Sequence, residues 1–74
     1  MSIQWVGIDI SKDWFDAHTE GRDKRFSNRR MGFEELIAWL GEGNFHVVLE
    51  ATGGHERALR RFLDEAGIPA SVAH

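Results

Sequence analysis

The hydrophobic period of this chain first changes just after residue 32, and that change restricts the fold more than any single residue does. Before it, apolar residues come in short runs separated by tight turns. Ile3 to Ile10 (IQWVGIDI) reads as a strand by composition, and its nearly continuous apolar character predicts cover on both faces. Ser11-Lys12-Asp13 is a turn. Trp14 to Thr19 is a second strand, in which Phe15, Ala17 and Thr19 alternate with Trp14, Asp16 and His18. Glu20 to Asp23 turns the chain again, and Lys24 to Asn28 is a short third strand. Strands joined by such short turns pair as an antiparallel meander.

After the change the spacing is helical. Phe33, Leu36, Ile37 and Leu40 fall at i, i+3, i+4 and i+7, the mark of an amphipathic helix, and Gly41 and Gly43 end it. Phe45 to Glu50 is a buried strand. Thr52-Gly53-Gly54 leads into a second helix with Leu59, Phe62, Leu63 and Ala66 on one side, stopped by Gly67, and Pro69 to Ala73 begins a fifth strand. The predicted order is βββαβαβ: an α/β fold whose mixed sheet joins the meander to two parallel strands. Right-handed crossovers taken in sequence place both helices on one face. The other face is then under-covered and the fifth strand is an open edge, which predicts a homo-oligomer through one or the other. Trp5, Trp14 and Trp39 read as core residues.

Composition narrows the class. The chain has 74 residues, which means one small domain or part of one. Hydrophobic residues make up 42% and charged residues 28%, which excludes a disordered chain. The absence of Cys excludes a disulfide framework and a thiolate zinc site, and the four His stand at no metal-ligand spacing. A small core with no covalent or metal-thiolate support suggests a part cut from something larger. No apolar run approaches the ~20 residues of a membrane span, and Met1 to Trp5 does not begin a signal peptide, so the expected location is cytoplasmic, with no membrane partner. The net charge of −3 does not suggest a simple basic nucleic-acid module. The charge is uneven, however. Residues 21–31 hold Arg22, Lys24, Arg25, Arg29 and Arg30 against Asp23 alone, a local +4, and the other positions carry −7. Such a strip is either a solvated hairpin or a surface for phosphate.

Two carboxylates are out of place in this pattern. Asp9 lies near the end of a strand of Ile, Val, Trp and Gly, and Glu50 ends the strand after Val47-Val48-Leu49. Charge at the end of a buried strand is costly unless paired or ligated. If the first and fourth strands are parallel neighbours, their C-terminal ends coincide, where open α/β sheets place their chemistry. Two carboxylates there supply oxygen ligands for divalent cations. The plainer alternative is that Asp9 caps the following turn and Glu50 faces solvent.

The blocks around these residues resemble a known family. Val6-Gly7-Ile8-Asp9-Ile10-Ser11-Lys12-Asp13, then Phe26-Ser27-Asn28, Gly32, Leu36 and Trp39-Leu40, then Glu50-Ala51-Thr52-Gly53-Gly54-His55-Glu56, Leu59, Leu63 and Ala66-Gly67-Ile68-Pro69, are similar to DEDD-type transposases of bacterial insertion sequences and the related pilin-gene invertase. The resemblance covers essentially the whole chain and implies the N-terminal part of a RuvC-like, RNase H-fold nuclease domain. It implies DNA recombination or transposition by two-metal phosphodiester chemistry with Mg²⁺ or Mn²⁺. Asp9 and Glu50 match the first two of the family's four acidic ligands, and are thereby implied as catalytic and metal-binding residues. The other two acids, and a second domain with a functional serine, lie beyond His74 in the family's pattern. The chain alone is therefore expected to be inactive. His55 stands where Tyr is more usual. Ser11 and Lys12 follow the first carboxylate and are candidates for a scissile phosphate. Arg25, Arg29, Arg30 and Thr52 are further candidate nucleic-acid contacts, Thr52 at a helix start whose N–H groups suit an anion or are simply capped by Thr52 or Gly53. DNA is the implied partner, with a structured guide RNA in some members.

Two other function classes compete. A nucleotide-binding part of the actin-like, sugar-kinase and Hsp70 superfamily also begins with a meander and a Gly-Ile-Asp loop, but its loops want Gly where Ile10 stands. A non-catalytic binding module would instead use the basic strip at residues 22–30. Arg57, Arg60 and Arg61 read as a solvated face paired with Glu56, Asp64 and Glu65.

Overall fold

The structure is a computed structural model that describes residues 2–51 and 53–73. Its elements are β1 (Gln4–Ile10), β2 (Trp14–Thr19), β3 (Arg22–Ser27), α1 (Arg30–Leu40), β4 (Phe45–Ala51), α2 (Arg57–Glu65) and β5 (Ala70–Ala73). The expected βββαβαβ order is therefore present, with boundaries shifted by a few residues at most. The five strands form one mixed sheet in the order β3-β2-β1-β4-β5. β1, β2 and β3 pair antiparallel, and β4 runs parallel to both β1 and β5.

Local chemistry explains the meander. β2 and β3 are joined by Glu20-Gly21 alone, since Thr19 is opposite Arg22. Both turn residues have positive φ, 44° and 75°, as a type I′ hairpin turn demands. Glycine supplies the second position without steric cost, whereas Glu20 is held in a conformation that side chains disfavour. The expected turn over Glu20 to Asp23 is shorter than predicted, because Arg22 and Asp23 already belong to β3.

The core lies on one side of the sheet. Val6, Ile8 and Ile10 of β1, Phe15 and Ala17 of β2, Phe26 of β3 and Phe45, Val47 and Leu49 of β4 point into it. Phe33, Leu36 and Leu40 of α1 and Leu59 and Leu63 of α2 close it from above. An aromatic cluster fills the β2/β3 end. Phe15 stacks on Phe26 at 5.3 Å between ring centroids, and Phe33 lies 6.1 Å from Phe15 and 5.5 Å from Phe62. Buried Thr19 is satisfied, donating to the Trp5 carbonyl at 2.9 Å and accepting from Gln4 Nε2 at 2.9 Å.

The opposite face carries Trp5, Gly7 and Asp9 of β1, Trp14, Asp16 and His18 of β2, Asp23 and Arg25 of β3, and His46, Val48 and Glu50 of β4. Three expectations are corrected here. β1 is covered on one face only. Trp5 and Trp14 are 59% and 45% exposed, so of the three tryptophans only Trp39 packs against the core. The apolar run of β1 misled because Trp5 is apolar and yet points outward. Among the described residues, no helix is long and apolar enough to cross a membrane.

Candidate functional site

Strand parity decides where the carboxylates stand. In β1, Val6, Ile8 and Ile10 take the core side, which sends Asp9 outward. In β4, Phe45, Val47 and Leu49 do the same, which sends Glu50 outward. The parallel register then places Asp9 directly beside Glu50, one residue short of the C-terminal end of each strand. Neighbouring strands are about 4.8 Å apart, so the two carboxylates share one edge. Both are exposed. Neither charge is buried, contrary to expectation: hydration satisfies each group, and nothing obliges them to pair.

The structure adds a carboxylate that the sequence reading passed over. Asp16 lies opposite Asp9 on the other side of β1, so Asp16, Asp9 and Glu50 form a row across three strands. The alternation of Trp14, Asp16 and His18 contained the signal, but using it required the β1–β2 register. Asp16 is chemically distinct from the other two. Arg25 Nε donates to its Oδ1 at 2.8 Å and Arg25 Nη2 to its Oδ2 at 3.1 Å. This two-pronged hydrogen bond holds the Asp16 carboxyl below its usual range and pushes Arg25 up, while desolvation opposes both shifts. Among the described residues, no group of three or more His, Asp or Glu is gathered tightly enough to hold a metal ion. The row thus divides into a structural acid tied to Arg25 and a pair, Asp9 and Glu50, that keeps its oxygens for solvent.

Such a pair suits a hard cation of the magnesium type, which is commonly bound through one or two carboxylates together with substrate phosphates. The loop after β1 borders it. Ser11 is pinned by its own backbone N–H and its Oγ, both donating to the Trp14 carbonyl at 2.9 and 3.0 Å. Lys12 is exposed at the tip of that turn. On the β4 side, Gly53 and Gly54 have φ of 71° and 77° and turn the chain through residues 53–56. Thr52 lies outside the described residues. Helix α2 begins at Arg57 with Glu56 in the capping position and no side-chain cap, so Gly53 and Gly54 form a separate turn before the helix and do not cap it.

The basic strip is divided between the two faces. Arg22 crosses to the core side, where it lies 4.5 Å over the Trp39 ring and donates to the Trp39 carbonyl at 3.3 Å. Lys24 lies over Phe26. Arg25 faces the open side, held by Asp16 and 4.7 Å from the Trp14 ring. Arg29 occupies the capping position of α1 and is exposed. Arg30 lies over Phe62 and 3.6 Å from Glu34. The local +4 is therefore not one electropositive surface. Arg57, Arg60 and Arg61 line an open cleft of about 730 Å³ with Ile68 and Pro69. Among the described residues they form no ion pair, in contrast to the expected pairing with Glu56, Asp64 and Glu65.

No protein-family model matches the chain. Two curated proteins do show similarity. The chain is similar to pilin gene-inverting proteins. That of Moraxella lacunata is 36% identical over 64 residues, covering 74% of this chain and 20% of the relative. That of Moraxella bovis is 37% identical over 62 residues, covering 72% of this chain and 19% of the relative. The chain thus spans about a fifth of the length of the curated relatives it matches.

Proposed function

We propose that this chain contributes the first two acids, Asp9 and Glu50, of a metal-dependent nuclease site of the RuvC-like, RNase H-like class, acting in DNA inversion or transposition. The observation that carries this reading is the register of Asp9 beside Glu50, exposed at the C-terminal edge of parallel strands. The similarity to proteins named for inverting a gene supports it, because inversion requires DNA strands to be cut and rejoined. Bound Mg²⁺ or Mn²⁺ supplies charge stabilisation to the attacking and leaving oxygens of the phosphodiester. Asp9 and Glu50 offer oxygen ligands from rigid strands. Ser11 and Lys12 border the same edge, where an ammonium group meets a phosphate approaching the carboxylates. Asp16 stays with Arg25 and ties β2 to the edge strand β3. The actin-like alternative has no geometric support: Ile10 is buried in the core, and the turn at residues 11–13 contains no glycine.

The test is a Mn²⁺ titration of the isotope-labelled chain. Paramagnetic broadening is expected to centre on amides at residues 8–10 and 49–51, and to vanish when Asp9→Asn and Glu50→Gln are combined. A folded sample that shows no local broadening at millimolar Mn²⁺ would overturn the reading.

A further inference from the structure

Asn28 lies between the last residue of β3 and the capping position of α1, far in sequence from both carboxylates. Its side chain nevertheless reaches both loops that border them. Nδ2 donates to the Ser11 carbonyl at 3.0 Å, more weakly to the Lys12 carbonyl at 3.4 Å, and to the His55 carbonyl at 3.1 Å. Its backbone N–H donates to the Asp13 carbonyl at 2.9 Å. One residue thus holds residues 11–13, which follow β1, and residue 55, which belongs to the turn after β4. Among the described residues, no other side chain hydrogen-bonds to residues 53–56. That turn contains Gly53 and Gly54, the residues with the most conformational freedom to lose.

The platform for Asn28 is itself fixed. Gly32, buried in the first turn of α1, lies against Ser27 so closely that an added Cβ would stand 1.8 Å from the Ser27 carbonyl oxygen. The spacing from Ser27-Asn28 to Gly32 therefore locks the junction that presents the amide. The amide chemistry is also specific. An NH₂ group carries two donors and can serve carbonyls on opposite sides, whereas a carboxylate of the same shape only accepts and would face carbonyl oxygens.

We propose that Asn28 is a positioning residue that fixes the two loops bordering the Asp9–Glu50 edge as a single unit. Its role in placing Lys12 and the Gly53-Gly54 turn beside the carboxylates rests on the function proposed above. The coupling of the two loops does not. Reacting groups and their supports must be held to a fraction of an ångström, and a shared clasp meets that need for segments with few contacts of their own.

The experiment compares the wild-type chain with Asn28→Ala and the isosteric Asn28→Asp. Amide exchange is read at Ser11, whose N–H bonds to Trp14, and at Arg57, whose N–H bonds to Gly54. Exchange at both positions is expected to rise together by about tenfold, the effect of roughly one lost hydrogen bond, while Ile8 and Leu49 amides in the strands stay protected. A rise at one loop only, or at neither, overturns the proposal. Mn²⁺ then gives a readout that a merely structural role would not move. In the wild type, broadening reaches both loops as well as the strand amides; in the variants it persists beside Asp9 and Glu50 but falls on both loops. Unchanged loop broadening in a variant overturns the positioning role. If the wild type shows no broadening, the metal reading fails by itself and the clasp is judged on exchange alone. Should both variants unfold, the Asn28 side-chain NH₂ protons of the wild type decide the matter: slow exchange supports the clasp, and exchange as fast as that of exposed Asn44 overturns it.

Discussion

The two faces of the sheet arise from one alternation and have opposite characters. The covered face carries Val6, Ile8, Phe15, Ala17, Val47 and Leu49, all at most 2% exposed, beneath both helices. The open face carries Trp5, Trp14, a row of carboxylates and a salt bridge from Arg25 to Asp16. The first holds the chain together through apolar burial. The second keeps charged and aromatic groups in solvent, at small cost to the fold and available to ligands. Stability and candidate chemistry are thus assigned to different sides of the same strands, and substitutions should separate them.

The largest effect is expected on the covered face. Phe15→Ala removes a fully buried ring from the aromatic cluster and should cost about 3–5 kcal/mol, close to the whole stability of so small a domain. Trp5→Ala, on the open face, should cost only about 0.5 kcal/mol. Urea denaturation of both measures the contrast, and equal losses would break it. Next comes Gly32→Ala, in which the new Cβ meets the Ser27 carbonyl and forces α1 away from β3. A loss of about 1–3 kcal/mol is expected, although alanine is the better helix former, and a gain in melting temperature would refute the close approach.

On the open face the effects are smaller and depend on pH. Arg25 lowers the Asp16 pKa in the folded state. A depressed carboxylate contributes stability above its unfolded pKa and loses it as pH falls through the folded value. The pair is partly exposed, so Asp16→Asn should cost about 0.5–1 kcal/mol at neutral pH. The difference from wild type should shrink to nothing as the medium is acidified below the ordinary Asp range. A constant difference across that range in pH-dependent denaturation would show that packing, and not the ion pair, is responsible. The smallest effect has the opposite sign. Asp9 has carboxylates directly opposite it on both neighbouring strands, and like charges so placed destabilise a sheet. Asp9→Asn should therefore stabilise the metal-free chain by about 0.2–1 kcal/mol. Thermal unfolding measures this, and a loss of stability would mean that Asp9 has a structural role in addition to the one proposed for it.

Much of the fold was legible because it depends on local periods. The switch from period two to period 3.6 after Gly32, and the glycines at the turns, specify the element order, and right-handed crossovers specify the side of the helices. Asp9 and Glu50 were legible for the same reason, since each interrupts an apolar strand. The exposure of Trp5 and Trp14 was not, because an aromatic residue in a strand has the same signature whether it packs or projects. Asp16 was missed because its meaning comes from its neighbours on β1 and β3. The basic strip misled because charge summed along a strand ignores alternation: Arg22 and Lys24 point to one side and Arg25 to the other.

By itself, then, the sequence determined the order of elements, the apolar faces of the two helices and the places of Asp9 and Glu50 near strand ends, all of which depend on neighbours a few positions away. Only the tertiary structure decided which carboxylates stand together, that Asp16 is tied to Arg25, and that Asn28 joins loops on either side of the edge. Those facts depend on contacts between residues far apart in sequence, Asp9 beside Glu50 and Asn28 against His55 among them. No local pattern records such distances; they are set when the strands pair and the core closes.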